Sequence, residues 1–478
     1  MTPGIQFSLA ILTRQSGLDF ATLHNMQLWS KWRQKIGRNR TYIFIFILLI
    51  FSLYTRLLWI NQIPANLNPD EADTLRSFIA TTKRPFYPSI LATNWNGAPA
   101  INMYLIGWGW HLGGEDFGRI RNTAVFFSTL SVLVFFLAIK RLTKSPELAF
   151  AVTLLLASDP IFMHFSRSGW ENIFLALPVG ITLLILARAP TSWDGRWRRA
   201  MGLILVGVLA LYFYHPGKIL FGVNLFLGLV ELARYWWYQR SWRSTRLVIL
   251  SCLLVALTVL PFLYSFLGPY RIATMGRINN VSVLAYDDAP QNLMINTRKV
   301  LLGFTLFRGP DFAVGLNDRY SDTTENLLLP ILVILFWLGF ILAIKKRPLL
   351  VWWFLVLLLP VQIFSTNSPD IARSVHLWPV IYWFIAMSVW QVGRFVTKYR
   401  RLKCAVSVLG LCFVFALAYL QLNHYFSWMS SMRALKSREP AIWDIEYWSW
   451  LQAMKDSVDT TGFNYGVYEW KAKTGQSL

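Results

Sequence analysis

The chain has 478 residues, 55% of them hydrophobic and only 15% charged, with a net charge of +22. A soluble domain carries about 25% charged residues. Apolar runs of about 18 residues or more recur here, each able to cross about 30 Å of hydrocarbon. A soluble globular enzyme is therefore excluded. The basic residues sit in short clusters between apolar runs, so the excess charge reads as membrane topology and contact with anionic headgroups, with no nucleic-acid partner.

Residues 1–40 form a polar arm, too long and too polar for the start of a signal peptide, and no small-residue cleavage site follows. The first apolar run is expected to stay as an anchor. Eleven spans are predicted: 41–60, 120–139, 147–164, 171–188, 200–214, 217–233, 247–267, 325–344, 349–366, 374–393 and 404–424. The stretch 98–112 is apolar but short and interrupted by glycine, so it is expected to lie at the interface without crossing. With that choice the basic clusters at 31–40, 140–144, 188–199, 234–246, 345–347 and 394–403 all fall on one side. The positive-inside rule then puts the N-terminus in the cytoplasm and the C-terminus outside. The predicted architecture is an all-α polytopic bundle of about eleven membrane helices in the plasma membrane. It comprises a cytoplasmic arm (1–40), a membrane domain (41–424) and an extracytoplasmic aromatic tail (425–478). The long loops, 61–119 and 268–324, lie on the outer face with most of the acidic residues.

The first outer loop opens with Pro69-Asp70-Glu71, and Asp73 follows. The run 71–82 reads as a helix along the interface. Asp70 near its start suits an N-cap as well as a catalytic carboxylate, and the two roles are compatible. The second outer loop carries Arg167 and Glu171, which could pair with each other or join Asp70 in one cleft. The third turn, 212–218, offers Tyr214, His215 and Lys218. Lys218 suits either a phosphate or the headgroup region. The loop 268–324 carries Asp287 and Asp288, candidate substrate contacts along with Tyr214 and His215. Arg373 stands at the outer start of a span, against the charge trend, which favours a phosphate ligand. A divalent metal on Asp70, Glu71 and His215 is left open, with no tight ligand spacing to support it. The three cysteines, Cys252, Cys404 and Cys412, show no metal-ligand spacing either.

Carboxylates and cations from four outer loops suit displacement at an anomeric carbon. One carboxylate would act as base for a hydroxyl nucleophile, and cations would hold a lipid phosphate that leaves without a general acid. A flippase for lipid-linked glycans would instead show mid-depth ionisable residues or inverted repeats, and neither is visible. A polysaccharide ligase or polymerase shares the same leaving group.

These motifs, in this order, resemble the GT-C glycosyltransferases of the protein O-mannosyltransferase and aminoarabinose-transferase type (glycosyltransferase family 39 and its bacterial relatives) over residues 41–424. The resemblance rests on Pro69-Asp70-Glu71, the segment 99–113, the run 117–121 with Arg119 and Arg121, and 165–171 with Arg167 and Glu171. It continues through 212–218 and through Ala372-Arg373 followed by Leu377-Trp378-Pro379. It implies a polyprenyl-phosphate sugar donor, inversion at the anomeric centre, and a glycan, lipid or protein acceptor. Asp70 matches the catalytic aspartate and Glu171 the second acidic position. Arg119 or Arg121, together with Arg373, match positions near the lipid phosphate. Some relatives carry a Glu-Lys pair where this chain has Gly97 and Ala98.

Overall fold

The computed structural model describes residues 40–61, 63–64, 71, 74, 78, 99–114, 117–187, 189–267, 282–303, 328–366, 368, 370–396 and 403–430. Asp70, Asp73, most of 268–324 and the tail beyond 430 lie outside the described residues. The chain divides into two compact units, Met1–Ile50 and Phe51–Leu478. The first contributes the opening of helix α1 (Arg40–Leu57). All further contacts described lie within the second.

Among its described residues the second unit is built of helices joined by turns, with an isolated bridge between Ser282 and Ser365. In chain order the helices are α2 (Ala100–Leu112), α3 (Asn122–Thr143), α4 (Pro146–Ser158), α5 (Pro160–Ser166), α6 (Ala176–Leu186), α7 (Trp193–Leu211) and α8 (Gly217–Gln239). They continue with α9 (Trp242–Leu267), α10 (Ala289–Gly303), α11 (Pro330–Lys346), α12 (Pro348–Ile363), α13 (Trp378–Val396) and α14 (Lys403–Met429). Short 3-10 turns precede α3, α6 and α13, at Phe117–Arg121, Glu171–Leu175 and Val375–Leu377.

Among the described residues six helices are long and apolar enough to cross a membrane, or seven if α4 and α5 form one broken span. The helix in Val375–Phe395 is the central one, with 78% of its apolar window buried, whereas Ser244–Tyr264 buries 17% and turns most of its surface outward. The predicted span at 147–164 needs correction. It breaks at Asp159, and α4 and α5 meet at 67°. Pro160 has no N–H to donate to α4 and pushes the preceding residue out of the helical region. Asp159 accordingly has φ −57° and ψ 128°, and its carboxylate accepts the N–H groups of Ile161 and Phe162 at 3.0 Å, capping α5. The predicted span at 200–214 also shifts. Its helix begins at Trp193, capped by Ser192, and ends at Leu211.

Helix α2 has 13 residues. At 1.5 Å per residue it is about 20 Å long, too short to cross. It buries Asn102, Met103, Ile106, Gly107 and Trp110. The Asn102 side chain donates to the Phe213 carbonyl, and Thr123 Oγ1 donates to the Leu105 carbonyl at 2.8 Å. Glu71, Thr74 and Phe78 are helical. Their spacing of three and four residues puts them on one helix face. Phe78 lies against Gly107, where a Cβ would fall 2.0 Å from the ring. Alanine at Gly107 should therefore expel Phe78. The helix-propensity gain of about 0.5–1 kcal/mol is outweighed by overpacking of about 1–3 kcal/mol. Thermal unfolding should show Gly107→Ala less stable than the parent, and Gly107→Ala/Phe78→Ala should not suffer that clash. Equal stability of Gly107→Ala and parent would refute this contact.

Candidate functional site

The acidic loop is anchored through Glu71. Its side chain is 2% exposed and receives Arg121 Nε at 3.2 Å, the arginine being fully buried. Glu71 also accepts the Gly169 N–H. Arg121 Nη1 donates to the carbonyls of Ile60 and Pro64, both at 2.8 Å. One buried ion pair therefore ties together the exit of α1, the segment bearing Glu71, the start of α3 and the turn after α5. Gly169 suits this junction because a Cβ there would meet the Ile120 carbonyl at 3.0 Å.

Arg167 performs a similar task from the other direction. Its Nη1 donates to the carbonyls of Thr55 (2.6 Å) and Arg56 (2.9 Å), and its Nη2 to those of Leu58 (2.5 Å) and Ile63 (2.7 Å). The last carbonyls of α1 have no helical partner, and a guanidinium at this end also answers the negative end of the helix dipole. Burial lowers the Arg167 pKa, Tyr425 raises it, and the nearby charge of Arg121 lowers it. The guanidinium also stacks 5.3 Å from the Phe426 ring centroid. Its fork is thus engaged by the protein backbone.

A buried polar network holds the other end of α5. Tyr382 on α13 donates to Asp159 Oδ2 at 3.0 Å. Gln421 on α14 donates to the Tyr382 hydroxyl at 3.0 Å and accepts from Ser158 at 2.9 Å. Four residues on, Tyr425 packs with Met163, Trp428 and Met429. One face of α14 therefore holds the start and the middle of the seven-residue α5, and with them the turn that follows it.

The remaining predicted residues are held by local contacts of their own. Glu171 opens the 3-10 turn before α6 and is 9% exposed. Its neighbour Asn172 donates to the Ala372 carbonyl at 2.9 Å, which joins the turn before α6 to the segment between α12 and α13. In the fifth loop Arg373 Nε pairs with Asp370 at 2.9 Å, and its Nη1 donates to Ser365 Oγ. Burial pushes the Asp370 carboxyl above the usual range, while Arg373 and the N–H groups of Arg373 and Ala372 pull it back down. Lys218, the second residue of α8, has Nζ 3.4 Å from His215 Nδ1 and 5.7 Å from the Phe262 ring centroid. Tyr214 is buried beside the His215 ring. Arg119 is exposed on the turn that delivers buried Arg121. Of the pair Arg119 and Arg121, the first therefore reaches solvent and the second does not. Asp287 and Asp288 are exposed just before α10, which docks by Asn296 on the carbonyls of Ile363 and Ser365 at 2.9 and 2.8 Å.

The structure thus brings Glu71, Arg121 and Gly169 together. Separately, it joins Lys218 to His215 and Arg373 to Asp370. Among the described residues no three His, Cys, Asp or Glu side chains are placed to share a metal ion. The Asp159–Tyr382–Gln421 network and the carbonyl clamp of Arg167 escaped sequence reasoning. Asp159-Pro160 was the one visible signal for the first.

No profile of a known protein family matches the chain. It is 28% identical over 180 residues to an undecaprenyl phosphate-alpha-4-amino-4-deoxy-L-arabinose arabinosyl transferase of Pseudomonas aeruginosa strain LESB58, covering 36% of this chain and 31% of that protein. The enzyme of the same description from strain UCBPP-PA14 is 27% identical over 176 residues, with the same coverage. The chain is similar to a lipid-linked-sugar glycosyltransferase. The match spans about a third of these relatives' length. Among solved structures, ArnT from Cupriavidus metallidurans bound to undecaprenyl phosphate aligns with a TM-score of 0.43 at 14% identity, covering 83% of this chain and 76% of that one. The Archaeoglobus fulgidus oligosaccharyltransferase tethered with an acceptor peptide aligns with a TM-score of 0.46 at 13% identity, covering 82% of this chain and 55% of that one.

Proposed function

We propose that this chain is an inverting glycosyltransferase. It moves a sugar from a polyprenyl-phosphate donor to an acceptor hydroxyl at the outer face of the plasma membrane. The reading takes its eleven apolar segments as eleven crossings, with the N-terminus inside and the C-terminus outside. The observation that carries it is the anchoring of Glu71. The residue next to Asp70 is held by a fully buried arginine and a backbone N–H at the junction of the first two outer loops. A rigid support of this kind is what a catalytic carboxylate needs on its neighbour.

In this reading Asp70 takes the proton of the acceptor hydroxyl as its oxygen attacks the anomeric carbon. The bond from that carbon to the phosphate oxygen breaks, and its electron pair leaves with the lipid phosphate. The oxocarbenium character that develops is favoured by the nearby carboxylates, with Glu171 as the second. Arg119, Lys218 and Arg373 supply positive charge for the departing phosphate. Arg121 and Arg167 support the site from behind, because their guanidiniums are already taken up by Glu71 and by carbonyl groups. Tyr214, His215, Asp287 and Asp288 contact the substrates. No step requires a metal.

The test is incubation of the purified protein with undecaprenyl-phosphate-linked pentoses and hexoses, with chromatography for free undecaprenyl phosphate. Release from at least one donor, dependent on an added acceptor, is the expected result. Translocation of the intact donor in proteoliposomes without any release would overturn the assignment in favour of a flippase.

A further inference from the structure

The end of α8 remote from Lys218 carries a cluster that the transfer reaction does not use. Glu231, 8% exposed, is approached by Arg196 at 3.0 Å, Arg199 at 3.9 Å and Arg234 at 4.0 Å. Arg347 also acts electrostatically on Arg199, while its Nη2 donates to the Ala187 carbonyl at 3.4 Å. Three guanidiniums thus share one carboxylate, and a fourth acts on one of them. The next acid on α7, Asp194, is exposed on its first turn. Two donors on this stretch of α7, Arg199 Nε in the cluster and Trp197 Nε1 two residues before it, are buried without a hydrogen-bond partner. Buried donors in native proteins nearly always find an acceptor, and leaving one unmade is costly. Excess positive charge and unspent N–H groups on one stretch of α7 call for the same thing, an anion rich in acceptor oxygens.

The setting says which anion. Trp197 packs on Ala200, Ile204 and Leu232. Ile204 and Leu232 also line an apolar groove of about 500 Å³ between α7, α8 and α9, with Leu229, Val255 and Leu260 along it. Around the rim Trp236, Trp237, Tyr238 and Trp242 are exposed, and Arg196 lies 5.1 Å from the Trp193 ring centroid. Exposed Trp and Tyr at the end of apolar helices mark the headgroup level of a bilayer. Sixteen residues of α8 separate Arg234 from Lys218, about 24 Å at 1.5 Å per residue, so this cluster and Lys218 occupy opposite ends of the helix.

We infer that Arg196, Arg199, Arg234 and Trp197 form a binding site for the phosphate of an anionic phospholipid, one of whose acyl chains lies in the α7–α9 groove. Basic pockets between membrane helices bind such headgroups by charge-assisted hydrogen bonds. Glu231 holds the arginines together and at the same time competes with the ligand.

The experiment is native mass spectrometry of the full chain, titrated with dioleoylphosphatidylglycerol, dioleoylphosphatidylcholine or inorganic phosphate. Phosphatidylglycerol should bind at least about tenfold more tightly than phosphatidylcholine, equivalent to about 1.4 kcal/mol. Arg199→Gln and Arg196→Gln should each weaken phosphatidylglycerol about tenfold. Trp197→Phe, which keeps the packing and removes the N–H, should weaken it severalfold. Glu231→Gln should tighten it. Melting in phosphatidylcholine checks that each variant is folded. Equal affinity for the two lipids would overturn the site, as would unchanged phosphatidylglycerol binding in folded Arg196→Gln and Arg199→Gln. Full displacement by millimolar inorganic phosphate would overturn the lipid assignment. None of these readouts depends on sugar transfer.

Discussion

Replacing Arg121 by methionine should destabilise the protein by about 3–5 kcal/mol, the usual cost of stranding one partner of a buried ion pair. The side chain that remains, Glu71, is 2% exposed and would retain the Gly169 N–H but lose its counter-charge. The carbonyls of Ile60 and Pro64 would lose their donor as well. Neutralising the stranded acid should restore much of the loss, because an uncharged glutamine costs far less to bury than a carboxylate. Arg121→Met/Glu71→Gln should therefore be more stable than Arg121→Met alone. Unfolding in graded denaturing detergent measures both. If Arg121→Met unfolds with the parent, the pair does not anchor the segment bearing Glu71. If the double variant is no better than the single one, the loss comes from the carbonyl contacts and not from the stranded charge.

The same junction explains which parts of the molecule were legible in the sequence. Apolar runs announce helices because each must satisfy its own backbone in hydrocarbon. The short stretch 98–112 was legible by length alone, and it forms the 13-residue α2. The break at Asp159 was hidden because the apolar character of 147–164 continues across it, although Asp-Pro carried the signal. The arginines read in the sequence as cations for a phosphate, and nothing there marked Arg121 and Arg167 as clamps. Arg167 reaches carbonyls more than a hundred residues earlier in the chain, and Tyr382 reaches Asp159 across 223 residues. A backbone carbonyl has no sequence signature, so a side chain that spends its charge on carbonyls looks the same in sequence as one awaiting a phosphate. The roles of Arg119 and Arg121 divide for the same reason. Both stand on one five-residue turn, and only the packing of that turn decides which is buried.

Asp70→Asn should reduce sugar transfer by about 10²–10⁴-fold, the range typical of losing a general base. Asparagine keeps the shape of aspartate and can still cap a helix, so a capping role alone predicts little change. The KM for the lipid donor should hold nearly constant, since in the proposed reaction the phosphate is met by cations and not by Asp70. The loss should appear in kcat, as for any interaction made only as the hydroxyl proton departs. Glu71→Gln gives the contrast. It weakens the bond to fully buried Arg121, so it should lower thermal stability together with rate, whereas Asp70→Asn should leave stability within about 0.5 kcal/mol of the parent. Measuring kcat, KM and melting for the two variants side by side separates a proton acceptor from its support. Full activity in Asp70→Asn would end the case for Asp70 as the base. A rate loss in Asp70→Asn that merely tracks lost folded protein would assign both carboxylates to structure.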